Sequence, residues 1–260
     1  MSHPTPVNSR EAIDARRAEG RIPRLAPFAV VFARPVLALL AQILTTLLFV
    51  RLDVQDAPVA VRHWWTVYGT LVDLACLVIL LGLTRHEGVR LLDLVSFDRS
   101  KLPTDVLIGL GIVLVVFPLT VIGGGAVASR VAYGALNPVF PEAGFIRTLP
   151  FWAVVYSRLI WWPLWSLTEE LVYQGYSLPR LQIISRSTWC PVALVALAWS
   201  LQHSFLPWID ARHGLYLFLA FVPLTIALQV VYLRVRRLTP LVIGHGLMDL
   251  SSVLLLLRVG

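Results

Sequence analysis

Apolar residues run along this chain in long stretches separated by short polar segments rich in arginine and proline. The stretches fall at about 29–50, 64–84, 103–125, 150–179, 189–207, 214–233 and 238–257. A helix of about 20 residues crosses roughly 30 Å of hydrocarbon at about 1.5 Å per residue. Only helices and closed barrels satisfy the backbone in lipid, and the period-2 alternation of a barrel is absent. The pattern predicts an all-α polytopic transmembrane helix bundle of about seven spans. The fourth run is too long for one simple crossing and is interrupted by Arg158, so its first turns are expected outside the bilayer or strongly tilted. Arg158 is read as snorkelling outward. In His86–Phe97, Val89, Leu91, Leu92, Leu94 and Val95 interleave with Arg90 and Asp93, predicting a helix lying on the inner interface. Gly123-Gly124-Gly125 reads as a span-ending turn and not a phosphate loop, because no Lys-Ser/Thr follows.

The polar segments set the orientation. Residues 1–28 form an Arg-rich tail, and 29–258 form a single membrane domain. The first apolar run is span-length and lacks a small-residue cleavage site, so no secretory signal peptide is read. The tail is expected to be a mobile cytosolic arm. With the N-terminus inside, 14 of the 22 Lys and Arg fall in inner segments and 6 in outer ones, leaving Arg34 and Arg158 within spans. That bias places the N-terminus in the cytosol. Trp64, Trp65, Trp152, Trp189 and Trp208 lie near span ends, where amphipathic rings prefer to sit.

Composition narrows the class. Hydrophobic residues make up 57%, charged residues 14%, and mean hydropathy is +0.75. Soluble domains are about half apolar and about a quarter charged, so an ordinary soluble enzyme is excluded, as is a disordered chain. The net charge of +7 is dispersed in short clusters between apolar runs, which argues for membrane topology and against nucleic acid. Lys101 is the sole lysine, a bias that suits a GC-rich genome, hence a bacterial plasma membrane. Cys76 and Cys190 both sit in apolar runs and are read as buried small hydrophobes, not a disulfide framework.

Ionisable residues inside lipid are costly, so each is a functional candidate. They are Asp73, Arg158, Glu169, Glu170, His203, His245 and Asp249. Adjacent Glu169 and Glu170 point about 100° apart on a helix. Trp199 and His203 are four apart and share a face, as do His245 and Asp249. At about 1.5 Å per residue, the glutamates lie about 15 Å from the inner end, His203 about 18–20 Å, His245 about 10 Å and Asp249 about 16 Å. The patches are expected to converge on a site reached from the cytosolic half. Three chemistries remain open. A buried carboxylate with histidine can activate water and stabilise an oxyanion. Histidine and carboxylate ligands can hold zinc with one open position. The same residue types also line proton or cation pathways. Structural alternatives are that the glutamates brace helices, that His203 bonds between helices, and that His245 and Asp249 pair only with each other. Asp73 is read as structural, and Trp161, Trp162 and Trp165 as packing or lipid-facing residues.

Glu169-Glu170, Trp199 four before His203, and His245-Gly-Leu-Met-Asp249 resemble the three motifs of the CAAX-protease and bacteriocin-processing (CPBP, ABI) intramembrane protease family. The family pattern is Glu-Glu-x-x-x-Arg, Phe-x-x-x-His and His-x-x-x-Asn or Asp. The resemblance covers about 150–257 in the right order. It implies an all-helical membrane-embedded endopeptidase acting on a membrane-associated peptide or protein. It implies that Glu169 activates water with His203 while His245 and Asp249 hold the substrate carbonyl or its oxyanion, Glu170 completing the catalytic set. The family is also described as metalloproteases, which makes Glu169, His203 and His245 the ligands of one zinc ion. Gln174 replaces the motif arginine and Trp199 the phenylalanine. Without that arginine, Glu170 is expected to be protonated or to find Arg180 or another cation. The competing readings are a non-catalytic scaffold or immunity protein on the same fold, and an ion-coupled transporter, against which the lack of an inverted repeat argues.

Overall fold

The computed structural model describes residues 6–138 and 147–260; residues 1–5 of the tail and residues 139–146 lie outside that description. Helix α1 (Arg10–Ala18) starts at Ser9, whose hydroxyl accepts from the Ala12 N–H. Then come α2 (Ala26–Arg51), α3 (Ala57–His63) and α4 (Trp65–Glu87). Gly88 ends α4 at φ +73°, the left-handed cap that glycine takes at least cost. A short 3₁₀ turn (Leu91–Val95) leads to α5 (Leu102–Gly111), which continues through two π turns into α6 (Gly123–Tyr133). A three-residue strand β1 (Arg147–Leu149) precedes α7 (Phe151–Tyr156), α8 (Trp162–Glu170) and α9 (Leu178–Ser185), joined end to end by π turns at Ser157–Trp161 and Leu171–Ser177. Helices α10 (Trp189–Phe205), α11 (Ala211–Val235) and α12 (Thr239–Leu256) follow. Strand β2 (Leu257–Val259) pairs in parallel with β1, Arg147 opposite Leu257.

Apart from this short strand pair, the described residues form a helical membrane bundle. Among the described residues, five helical runs are long and apolar enough to cross a bilayer: α2, α4, Leu91–Tyr133, α11 and α12. The other two expected crossings are helical but fall outside that set. Helix α10 has 17 residues. The 151–185 run carries Arg158, Glu169, Glu170 and Arg180.

The 151–185 run is the hub. Residues Leu171 to Leu181 are buried on every side, the mark of a helix inside a larger bundle. Helix α2 packs on α4 and α10, α12 on α5 and α8, and α11 on α6 and α10. Leucines on the outer faces, such as Leu44, Leu47, Leu114 and Leu119, stay exposed, as lipid-facing positions should. Where α12 crosses α5, a Cβ on Gly244 would lie 2.9 Å from Ile112 Cβ and 3.0 Å from the Gly109 carbonyl. Small residues let membrane helices approach this closely. Gly244→Val is therefore expected to lower stability by about 1–3 kcal/mol, read as a lower unfolding temperature of the purified protein.

Several expectations are corrected. The tail from residue 6 onward packs on the bundle instead of standing free. Ile13 is buried, Asn8 donates to the Gly175 carbonyl (2.8 Å), and buried Arg16 meets Glu87 (3.3 Å). Arg180 also clasps Glu87, at 2.6 and 2.8 Å, so one buried carboxylate ties α1, α4 and α9 together. The amphipathic segment is not a surface helix, because α4 continues to Glu87 and Leu94 turns inward. The three glycines do not end a span but open α6, and Gly124 faces the Ala220 carbonyl of α11. Arg158 does not snorkel; its Nη2 donates to the Leu257 carbonyl (3.0 Å) and anchors the end of α12. Cys76 is buried as expected, but Cys190 is exposed.

Candidate active site

Glu169 and Glu170 end α8, immediately before the π turn Leu171–Ser177. Such wide turns re-aim side chains and recur at functional sites. The two carboxylates leave the helix in different directions, as their spacing requires, yet both reach the same imidazole. Glu169 Oε2 lies 3.4 Å from His245 Nε2, and Glu170 Oε1 lies 3.0 Å from His245 Nδ1. Asp249, one turn further along α12, lies 3.6 Å from His245 Nε2. His245 is thus held between three carboxylates. Both glutamates are fully buried, whereas the Asp249 side chain is 17% exposed.

Glu169 is further held by groups from two other helices, α10 and α2. Trp199 Nε1–H donates to its Oε2 (2.6 Å) and the Gln202 amide donates to its Oε1. Tyr173 hydroxyl donates to Gln202 (2.9 Å) and its ring stacks on Trp199 at 4.8 Å. Trp199 is therefore a hydrogen-bond donor as well as an aromatic wall. The counter-charge comes from α2. Arg34 lies fully buried 3.5 Å from Glu169 and 2.7 Å from Asp73, with its guanidinium over the Trp165 ring at 4.2 Å. Asp73 accordingly has a partner. Trp161 and Trp165 are buried packing residues, not lipid-facing ones.

Sequence reasoning missed Arg34, Gln202 and Tyr173. Arg34 was readable, since a lone cation and a lone Asp73 in two neighbouring apolar runs are each costly and become affordable as a pair. Gln202 and Tyr173 carry no such signal. Of the partners left open for Glu170, Arg180 is not the one, because it is engaged by Glu87; His245 bonds Glu170 instead. Gln174, at the motif arginine's position, is fully buried with neither amide atom bonded among the described residues. An unpaired buried amide costs about 1–3 kcal/mol. Gln174→Met is therefore expected to leave stability unchanged or raise it, and to leave any activity intact; a thermal melt beside an activity assay checks both.

A cavity of about 240 Å³ reaches this cluster. His203, His245, Asp249, Trp199 and Gln202 line it, while Glu169 and Glu170 stand behind that wall. His203 does not join the carboxylate cluster; it stacks on Phe221, ring centroids 3.8 Å apart, beside the cavity. The remaining walls include Trp65 at the start of α4, Leu206 after α10, Leu217 near the start of α11 and Leu256 at the end of α12. These are the ends away from α1, Glu87 and Arg180. The cavity thus extends toward the face opposite the tail, not toward the tail side as expected, where the Glu87 clasp and the packed π turn close the bundle.

Among the described residues, no group of three or more His, Cys, Asp and Glu is arranged to hold a metal ion. Of the three residues expected to hold zinc, Glu169 and His245 are brought together, while His203 stacks on Phe221.

Polar side chains thus gather in the middle of the helical bundle, beside a cavity with mostly apolar walls. Comparison with known proteins adds a family resemblance. Residues 150–251 match the model described as type II CAAX prenyl endopeptidase Rce1-like, which is a protease family. The match shows the resemblance to CAAX proteases that the three motifs carry, and it spans all of them. No curated protein and no solved structure matches the chain.

Proposed function

We propose that this chain is an intramembrane endopeptidase that hydrolyses a peptide bond of a membrane-associated peptide or protein. The observation that carries the reading is the Glu169–His245–Glu170 chain of contacts behind the wall of a cavity lined by His203, His245 and Asp249. In this reading Glu169 and His245 act as one base. Glu170, bonded to Nδ1, orients the ring and leaves Nε2 toward Glu169 and Asp249, as an orienting carboxylate does for a catalytic histidine. A water at the cavity wall loses a proton to this couple as its oxygen attacks the substrate carbonyl. His203 donates to the developing oxyanion. The C–N bond then breaks, and the proton passes through His245 to the leaving amine. Arg34 balances Glu169, and the apolar walls exclude bulk water.

The proposed topology has about seven crossings, with 151–185 and α10 completing the five apolar helices and the N-terminus in a bacterial cytosol. A prenylated substrate, as the family description names, is a further option that the apolar cavity walls suit. The test is incubation of the purified chain in liposomes with a pool of quenched fluorescent apolar peptides. Cleavage above the level of Glu169→Gln supports the reading. Equal, background cleavage favours a non-catalytic scaffold, the reading to which the unbonded Gln174 at the motif arginine's position points.

A further inference from the structure

The cavity holds a cation that the proposed chemistry does not use. Arg147 lines it, is 3% exposed, and belongs to β1, outside the 150–251 segment that matches the family. Its Nε and Nη1 are buried with no hydrogen-bond partner among the described residues. The guanidinium lies over the Trp65 ring at 4.6 Å, which supplies stacking but no counter-charge. Tyr68, nearby, spends its hydroxyl proton on Gln42 (3.2 Å). Burial pulls the Arg147 guanidinium down to about 9, so it is still cationic at neutral pH. A buried, uncompensated charge is costly, and a planar fork of N–H donors is built for a carboxylate. The opposed cation of the bundle, Arg34, shows the contrast: its charge is met by Asp73 and Glu169.

We propose that Arg147 forms a subsite for a carboxylate of the peptide substrate, at the end of the cavity away from the tail. The subsite rests on the peptidase reading for its ligand. Arg147 sits opposite Leu257 in the strand pair, twelve residues beyond His245, which is about 18 Å along a helix axis. At about 3.3–3.6 Å per extended residue, a bound carboxylate lies within about five residues of the bond facing His245. Between them the walls are apolar, with Phe117, Val121, Leu217, Phe221, Leu224 and Met248. The ligand class is therefore an apolar extended segment bearing one carboxylate, supplied by its C-terminus or by an acidic side chain.

The test measures binding to the purified full chain in neutral detergent. One probe pair is acetyl-Leu-Val-Leu-Phe as free acid and as amide; the second is the amide with aspartate or asparagine as third residue. Wild type is expected to bind one anionic probe at least about tenfold tighter than its neutral twin, and the favoured pair identifies the source of the carboxylate. Arg147→Gln and Arg147→Met should bind both members alike, whereas Arg147→Lys keeps part of the preference. Equal binding of both pairs by wild type, no binding of any probe, or a preference that survives in either neutral variant overturns the subsite. Glu169→Gln should keep the preference. A preference with no peptide cut by wild type sinks the peptidase reading alone, and cleavage without a preference sinks the subsite alone.

Discussion

Glu169→Gln lowers peptide hydrolysis by about 10²–10⁴-fold, the span that general acid–base catalysis contributes, while the protein stays folded. The amide keeps the shape of the carboxylate and still accepts from Trp199 Nε1–H at the Oε2 position. It cannot take a proton, and it gives His245 Nε2, 3.4 Å away, no negative partner. His245→Ala should lose a similar factor, since the two groups serve one proton transfer. For the same reason Glu169→Gln/His245→Ala should be little worse than either single change, because residues that act as a unit are strongly non-additive. Initial rates of the three variants, with a melting curve for each, check the claim. Multiplying losses would mean that the two groups act separately.

Arg34→Met produces the largest expected loss of stability, about 3–5 kcal/mol. The change leaves Asp73 and Glu169, both fully buried, without their shared cation. Removing both ends of the close pair, as Arg34→Met/Asp73→Leu, should recover most of that stability, since a buried ion pair replaced by apolar groups is often neutral or better. Activity should not return with it, because Glu169 still lacks its counter-charge. Thermal unfolding in detergent and a cleavage assay read the two effects apart. An unchanged melting temperature for Arg34→Met would show that the pair carries no such burden.

The bundle was legible because long apolar runs have few solutions in lipid, and each predicted run corresponds to helix in the structure. The carboxylates of Glu169 and Glu170, the imidazole of His245 and Asp249 were legible because each is costly in an apolar run and the i,i+4 spacing keeps two of them on one face. What spacing along a helix does not contain is lateral position. It could not place His203 on Phe221 instead of against Glu169, nor bring Arg34 of the first long helix to α8. Depth arithmetic set the polar patches at similar heights but did not say which end is open. That depends on the Arg180–Glu87–Arg16 clasp closing one end and on the cavity between Trp65 and Leu256 at the other. The tail was misread because its arginines look solvated in sequence, whereas Arg16 faces a buried glutamate 71 positions away.

The central claim is that side chains alone activate the water. The most direct measurement is peptide cleavage by chelator-treated wild-type protein, with zinc counted on the same sample and the new peptide termini identified by mass spectrometry. The account predicts defined new termini at undiminished rate with far less than one zinc per chain. Cleavage that falls and returns in step with zinc content, or the absence of new termini at any zinc level, would contradict it.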